Sequence, residues 1–417
     1  MVPSGWKQMR LDSLASVERG KFSARPRNDP KYFGGEIPFV QTGDVANSQL
    51  YLANHSQTLN PLGVTVSKVF EEGTILLTIA ANIGATAITR VPTACPDSLV
   101  GIRPLSEVAD LLWLKYALAD RQKDLDIQAG QNAQKNINLE VLKPLRIATP
   151  PLAEQRRIGE MLFVWDQAIV TVEQLLANSR NQKLLLSQQL LTGKTRLKGF
   201  ANSGGKQETP YGPLPIEWEY RRIGEMAAEV SQKLGASEPY PVLSCTKHKG
   251  LVDSLAYFNK QVFSIDTSTY KVVPRGCFVY ATNHIDEGSI GYQDLYEFGL
   301  VSPMYTVFKT DDNVDDTYFY ALLKTEHYRQ IFASATNASV DRRGSLRWKD
   351  FRNLHVPLPS VEEQRAIANM LAMAGRKTDL IQAQLNLLRD EKAALMSQLL
   401  TGKRRVKVPE VEAELQA

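Results

Sequence analysis

The chain has 417 residues, 43% of them hydrophobic and 23% charged. That is the composition of an ordinary globular protein of roughly two to four domains, and it excludes wholesale disorder. The formal net charge of +4 is too small to attract nucleic acid in bulk, so any such contact must come from local clusters. Three cysteines without a CxxC pair fit a reducing compartment. Five scattered histidines suggest no metal site. The longest apolar stretch, 74–88, is too short and too polar for a membrane span. The opening MVPSGWKQMR lacks the apolar core of a signal peptide, so the expected location is the cytoplasm.

The first globular stretch reads as α+β. Arg19, Lys21, Arg25, Arg27 and Lys31 cluster beside Phe22 and Asn28 without helical periodicity. Such a loop suits phosphate contact, and an ordinary solvated surface has the same composition. Gln41, Thr42 and Asp44 follow a short apolar strand, and glutamine is shaped for bidentate contact with adenine. A strand is predicted over 74–79, and Asn82 beyond it is either a base reader or a turn residue. A helix over 109–126 leads into a polar loop holding Gln131, Asn132, Gln134, Lys135 and Asn136.

Pro150 and Pro151 then open a long helix, which Gly193 closes in the position of a C-terminal cap. Its seam alternates steps of four and three through Ile158, Leu162, Trp165, Ile169, Val172, Leu176, Ser179, Lys183, Leu186 and Leu190. Residues 201–214 are rich in Gly, Pro and small polar residues and read as a linker.

The second stretch repeats the plan. Pro215-Ile-Glu-Trp218 echoes Pro3-Ser-Gly-Trp6. Ser244, Thr246, Lys247 and His248 hold the place of Gln41 to Asp44, and Asn283 follows a predicted strand over 277–281. A helix over 316–333 precedes the basic cluster Arg342, Arg343, Arg347, Lys349 and Arg352. Pro359 and Gly402 bracket a second long helix, with Ile367, Leu371, Ile381, Leu385 and Leu399 in its seam.

The two helices are copies. EQRRIGEML at Glu154 recurs as EQRAIANML at Glu363, and QLLTGK recurs at the same offset of 209 residues. At that offset 19 of 49 residues are identical, so the chain is a tandem duplication. Each helix would be roughly 57 Å long. In a parallel, in-register pair Lys183 would face Lys392. An antiparallel pair with aligned ends instead sets Lys392 beside Trp165 and Lys183 beside Ala374, where the stems lie on apolar surface and the ammonium groups reach water. The antiparallel arrangement is therefore expected.

The duplicated P-x-x-E-Q-R helix and the two Gln-Leu-Leu-Thr-Gly-Lys ends resemble the DNA-specificity subunit (HsdS) of type I restriction–modification systems. Ile37-Pro-Phe-Val40 with Thr42-Gly-Asp44, Val301-Ser-Pro-Met-Tyr305 and Asp341-Arg-Arg-Gly344 add to the likeness, which covers essentially the whole chain. It implies two α+β target recognition domains separated by two long helices in an antiparallel coiled coil, a pseudo-twofold tandem repeat. The implied boundaries are 1–149, helix 150–200, linker 201–214, 215–358, helix 359–404 and tail 405–417. Implied partners are double-stranded DNA, two methyltransferase (HsdM) subunits and two motor/restriction (HsdR) subunits. S-adenosylmethionine, ATP and Mg would be bound by those subunits, with no cofactor or metal on this chain. Each recognition domain would read one half of an asymmetric bipartite site, and partner subunits would methylate adenine.

An enzyme is the rival class. Amino-methylation of a base uses an (N/D)PP(Y/F) stretch, which neither Asn60-Pro-Leu nor Thr149-Pro-Pro-Leu matches. Gly193-Lys-Thr195 resembles the tail of a phosphate loop, but the residue five before Gly193 is Gln188 and the second copy reads Gly402-Lys-Arg404. A helix cap explains both. A further alternative is an assembly scaffold or anti-restriction relative that binds methyltransferase subunits without reading DNA.

Overall fold

A computed structural model describes residues 3–130, 136–200, 204–210, 212–236, 240–337 and 344–407. The chain forms two compact units, 1–175 with 381–417, and 176–380. Each unit thus combines one globular region with the first part of one long helix and the last part of the other.

In the first unit an antiparallel sheet has the spatial order Ala15–Arg19, Leu99–Pro104, Ile75–Thr78, Thr86–Ile88. The Ile75–Thr78 strand is buried throughout, because both faces are covered. Ile75 and Leu77 face the core formed with Trp113, Leu118, Ile158 and Leu162, while Leu76 faces Val45, Phe70 and Leu99. A strand covered on both sides needs no polar alternation, which is why it reads as a continuous apolar run. Beyond it lies an outer sheet in the order Gln57–Leu59, Phe33–Phe39, Thr93–Cys95, Lys68–Phe70.

The second unit repeats the inner sheet in the order Ala227–Glu229, Tyr305–Thr310, Phe278–Ala281, Ile290–Tyr292. A two-stranded ladder also recurs, Lys7–Arg10 with Arg146–Thr149 in one unit and Glu219–Arg222 with His355–Leu358 in the other. The outer strands follow the same order in the second unit, where the ladders Leu243–Thr246 with Gly250–Asp253 and Lys271–Pro274 with Phe298–Val301 are joined only by a parallel Val242–Leu300 bridge, as Phe39 and Ala94 join the two halves of the first outer sheet.

Each helix expected after the inner sheet is broken in two. The first appears as Leu111–Asp120 and Gln122–Ala129, the second as Asp316–Leu323 and Glu326–Asn337. Thr325 restarts the latter, its hydroxyl accepting the Tyr328 N–H at 3.3 Å. A break of one or two residues leaves the apolar spacing nearly in step, so periodicity does not reveal it. The linker is also more ordered than expected, since Lys206–Gln207 pairs with Leu214–Pro215 and the Gln207 amide donates to the Pro215 carbonyl at 3.1 Å.

The long helices run Leu152–Leu191 and Val361–Leu399. The closing glycines have left-handed φ of +65° at Gly193 and +69° at Gly402, as caps require. Along the seams Ile158, Leu162, Ile169, Leu176, Leu190, Ile367, Leu371, Leu385 and Leu399 are buried, and Trp165 and Ile381 half-buried. The pairing is antiparallel within each unit. In the first, Arg389 bonds Glu173 at 2.6 Å and Lys392 bonds Asp166. In the second, the Ser179 and Thr378 hydroxyls meet at 2.9 Å. The Ser179–Thr378 contact keeps the expected register, but the Lys392 ammonium reaches the residue after Trp165. It is ion-paired with Asp166 and does not lie solvated beside Trp165, because that carboxylate, which also accepts the Tyr116 hydroxyl at 2.5 Å, needs a cation. Lys183 is exposed beside Gly375.

Candidate nucleic-acid interface

The repeated motifs first build a frame. In the second unit Glu363 is buried and accepts the Trp218 indole N–H at 3.0 Å. It also takes two bonds from Arg196, at 2.9 and 2.7 Å. In the first unit Glu154 receives Trp6 at 3.0 Å and Arg405 at 2.7 and 2.9 Å. Such bidentate pairs fix angle as well as distance. The neighbouring glutamines are equally committed. Gln155 bonds the Asp110 N–H and the Val108 and Pro150 carbonyls, while Gln364 bonds the Asp315 N–H and the Asn313 and Pro359 carbonyls. The arginines of the E-Q-R motif, Arg156 and Arg365, are exposed. The arginine that engages each glutamate lies after the glycine cap instead, and Arg405 thereby belongs to the frame and not to a tail.

The frame positions a turn and a loop end in each unit. The turn leaving the central strand holds the far end of the polar loop. Ile137 N–H bonds the Ile79 carbonyl at 2.9 Å, and Leu346 N–H bonds the Thr282 carbonyl at 2.8 Å. Asn82 and Asn283, separate in sequence from those loops, are thus brought beside them. Asn82 is exposed with φ of +46°, a conformation asparagine tolerates better than most residues. Its turn role therefore accounts for it. Asn283 has an ordinary negative φ and is half-buried. Gln131, Asn132 and Lys135, with Gln134, and Arg342 and Arg343 lie outside the described residues.

In the second unit Asn283 and Arg347 line one cavity of about 580 Å³. Lys271, Met304, Lys349 and Glu229 also line it, so cations outnumber the carboxylate three to one among these charged residues. Met304 lies in the family-like stretch Val301-Ser-Pro-Met-Tyr305, but nothing in the sequence places it or Lys271 beside Asn283. Non-local strand pairing and the Thr282 hydroxyl, bonded to the Met304 carbonyl at 3.0 Å, bring them in. Lys247 and His248 are exposed at the tip of the Leu243–Thr246 hairpin, closed by the Thr246 hydroxyl bonding the Gly250 carbonyl at 3.1 Å. Ser244 is tied to Ser254 at 2.5 Å.

In the first unit the basic loop is anchored. Phe22 is buried 4.7 Å from Phe39 between ring centroids. Arg27 bonds Asp97 at 2.9 Å, and Lys31 pairs with Asp29, whose carboxyl is held low by that lysine. Lys21 and Arg25 are exposed, with Arg25 turned back onto the Ala24 carbonyl at 2.8 Å. Asp44 accepts the Gln41 N–H at 2.8 Å and so serves the first turn of the helix Thr42–Ala46. The two places matched in sequence therefore differ in structure, a capped helix in one unit and a hairpin tip in the other.

The type I restriction modification DNA specificity domain matches residues 3–178 and again 215–389. The chain belongs to that family. Its role is DNA sequence specificity within a type I restriction–modification system. It is 21% identical to the type I restriction enzyme MjaVIII specificity subunit of Methanocaldococcus jannaschii, over 97% of this chain and 94% of that one. Two solved structures share the fold at 17% identity. The type I restriction–modification S subunit from M. genitalium has a TM-score of 0.54, covering 94% of this chain and 96% of its own. The HsdS subunit from Thermoanaerobacter tengcongensis has 0.52, covering 97% and 98%. No helix among the described residues is long and apolar enough to cross a membrane.

Proposed function

We propose that each globular region reads one half of an asymmetric bipartite site in duplex DNA, and that the chain supplies specificity and no chemistry. Two methyltransferase subunits and, in the full complex, two motor/restriction subunits act at the site so chosen. They carry S-adenosylmethionine, ATP and Mg. Lys21, Arg25, Gln41 and Thr42 in the first region, and Lys247, His248, Asn283 and Arg347 in the second, are the described candidates for contact. The observation that carries this reading is one frame built twice, with the same inner sheet and the same Trp–Glu–Arg cluster, bearing outer parts that differ in sequence and in their turns, a capped helix in one and a hairpin tip in the other. A duplicated scaffold with diverged surfaces suits two unlike targets for two like partners.

The test is an adenine-methylation map of DNA from cells co-expressing this chain with its neighbouring methyltransferase. The expected result is a two-part motif with unlike halves, seen only when both are present. A single contiguous motif would refute the reading. A complex that assembles but methylates nothing would favour the scaffold.

A further inference from the structure

Most described asparagines near these loops have work inside the fold. Asn60 bonds the Lys31 and Phe33 carbonyls, Asn138 caps a helix, and Asn353 bonds the Lys349 carbonyl. Asn283 differs. Among the described residues its side chain has no hydrogen-bond partner, its φ demands no asparagine, and it is half-buried in the wall of the 580 Å³ cavity. Beside it Met304 is 60% exposed, held there by the Thr282 hydroxyl on its carbonyl at 3.0 Å. An amide offering donor and acceptor together thus sits next to an unburied apolar side chain.

We infer that Asn283 and Met304 together read one A·T base pair in the major groove, with Lys349 on a flanking phosphate. The inference rests on the proposed function and deepens it. An asparagine amide matches the N6 donor and N7 acceptor of adenine, and an apolar side chain matches the C5-methyl of the thymine paired with it. A G·C pair keeps the N7 acceptor but sets the O6 acceptor where adenine has its donor, and its cytosine carries no methyl. The supports are rigid. Lys271 donates to the Tyr305 carbonyl at 2.7 Å. Trp348 stacks on Phe308 with centroids 5.5 Å apart, fixing the segment that carries Arg347 and Lys349. Both of these cations are exposed at the cavity, where a phosphate neutralises them.

The experiment maps methylation motifs for the full chain with its methyltransferase, comparing wild type, Asn283→Ala, Met304→Ala and Lys349→Ala. Asn283→Ala is expected to lower discrimination about 10- to 100-fold at one A·T position of one half-site, leaving the other half unchanged. Met304→Ala relaxes the same base pair. Lys349→Ala keeps the motif and weakens binding across all sites, with a shallower salt dependence. The inference is overturned if Asn283→Ala assembles with an unchanged motif, relaxes a G·C position, or abolishes methylation altogether. Should Asn283→Ala not assemble, Met304→Ala decides: relaxation at an A·T pair supports the inference, and an unchanged motif overturns it. A wild-type map without a two-part motif would instead count against the proposed function itself.

Discussion

Replacing Glu363 by alanine would remove the carboxylate that both Arg196 and Trp218 bond. The Glu363 side chain is 1% exposed and that of Arg196 is 12%, so water cannot take over. Breaking a buried pair from one side costs about 3–5 kcal/mol, and because Arg196 keeps its second partner Glu217 at 2.9 Å the cost should fall in the lower part of that range, about 3–4 kcal/mol. The matching change at Glu154 should cost less, about 1–2 kcal/mol, because Arg405 is 46% exposed and regains solvent. Two units rarely unfold as one transition, so the assay is native-state hydrogen exchange of the Trp218 indole and the amides of 364–371. Glu363→Ala should speed these by roughly two to three orders of magnitude. A double-mutant cycle with Arg196→Ala then isolates the pair. Equal effects of Glu363→Ala and Glu154→Ala, or unchanged exchange, would refute the argument from burial.

Burial lowers the Lys115 ammonium to about 8, opposed by Asp166 and reinforced by Lys392. A lysine depressed on folding binds fewer protons in the folded state, so stability rises between about pH 8 and 10.5, by up to about 3 kcal/mol. Denaturation across that window should show the rise in wild type and lose it in Lys115→Met. Gly193→Ala and Gly402→Ala should each cost about 1–2 kcal/mol, measured by thermal melting. Their φ is left-handed, and a Cβ would come within 2.4 Å of Pro215 and Pro3 respectively. Burial pushes Cys277 up to about 11, Cys245 to about 12 and Cys95 higher still. Thiol reagents at pH 8 should therefore label the native chain far more slowly than the unfolded one. Four residues inserted within 188–192 would lengthen that helix by about 6 Å, and the unread spacer in the methylation motif should grow by about one or two base pairs.

What the sequence made legible was local or duplicated. Proline starts, glycine caps and the heptad seam are written within single segments, and the offset of 209 residues exposed the repeat. The antiparallel direction followed from asking where Lys183 and Lys392 could go. Asp166 was missed because the seam pattern ranks apolar positions and says nothing of a carboxylate one residue away. Arg196 and Arg405 were overlooked for a similar reason. Their partners Glu363 and Glu154 lie 167 and 251 residues away, and only folding brings them together. Among the site residues, Gln41 and Asp44 prove to serve a helix start, while Asn283 gains weight through Met304, which only the turn contacts reveal. Surface readers carry no periodicity, so chemistry alone could nominate them.

The central claim is that each globular region reads its own half-site on a common frame. The most direct measurement replaces residues 219–358 with the corresponding region of a family member of different known specificity, keeping both long helices. The methylation motif of the chimaera is then mapped. One half of the motif should change to that of the donor, while the other half and the spacer stay as they were. A motif changed in both halves, or in neither, would contradict the account.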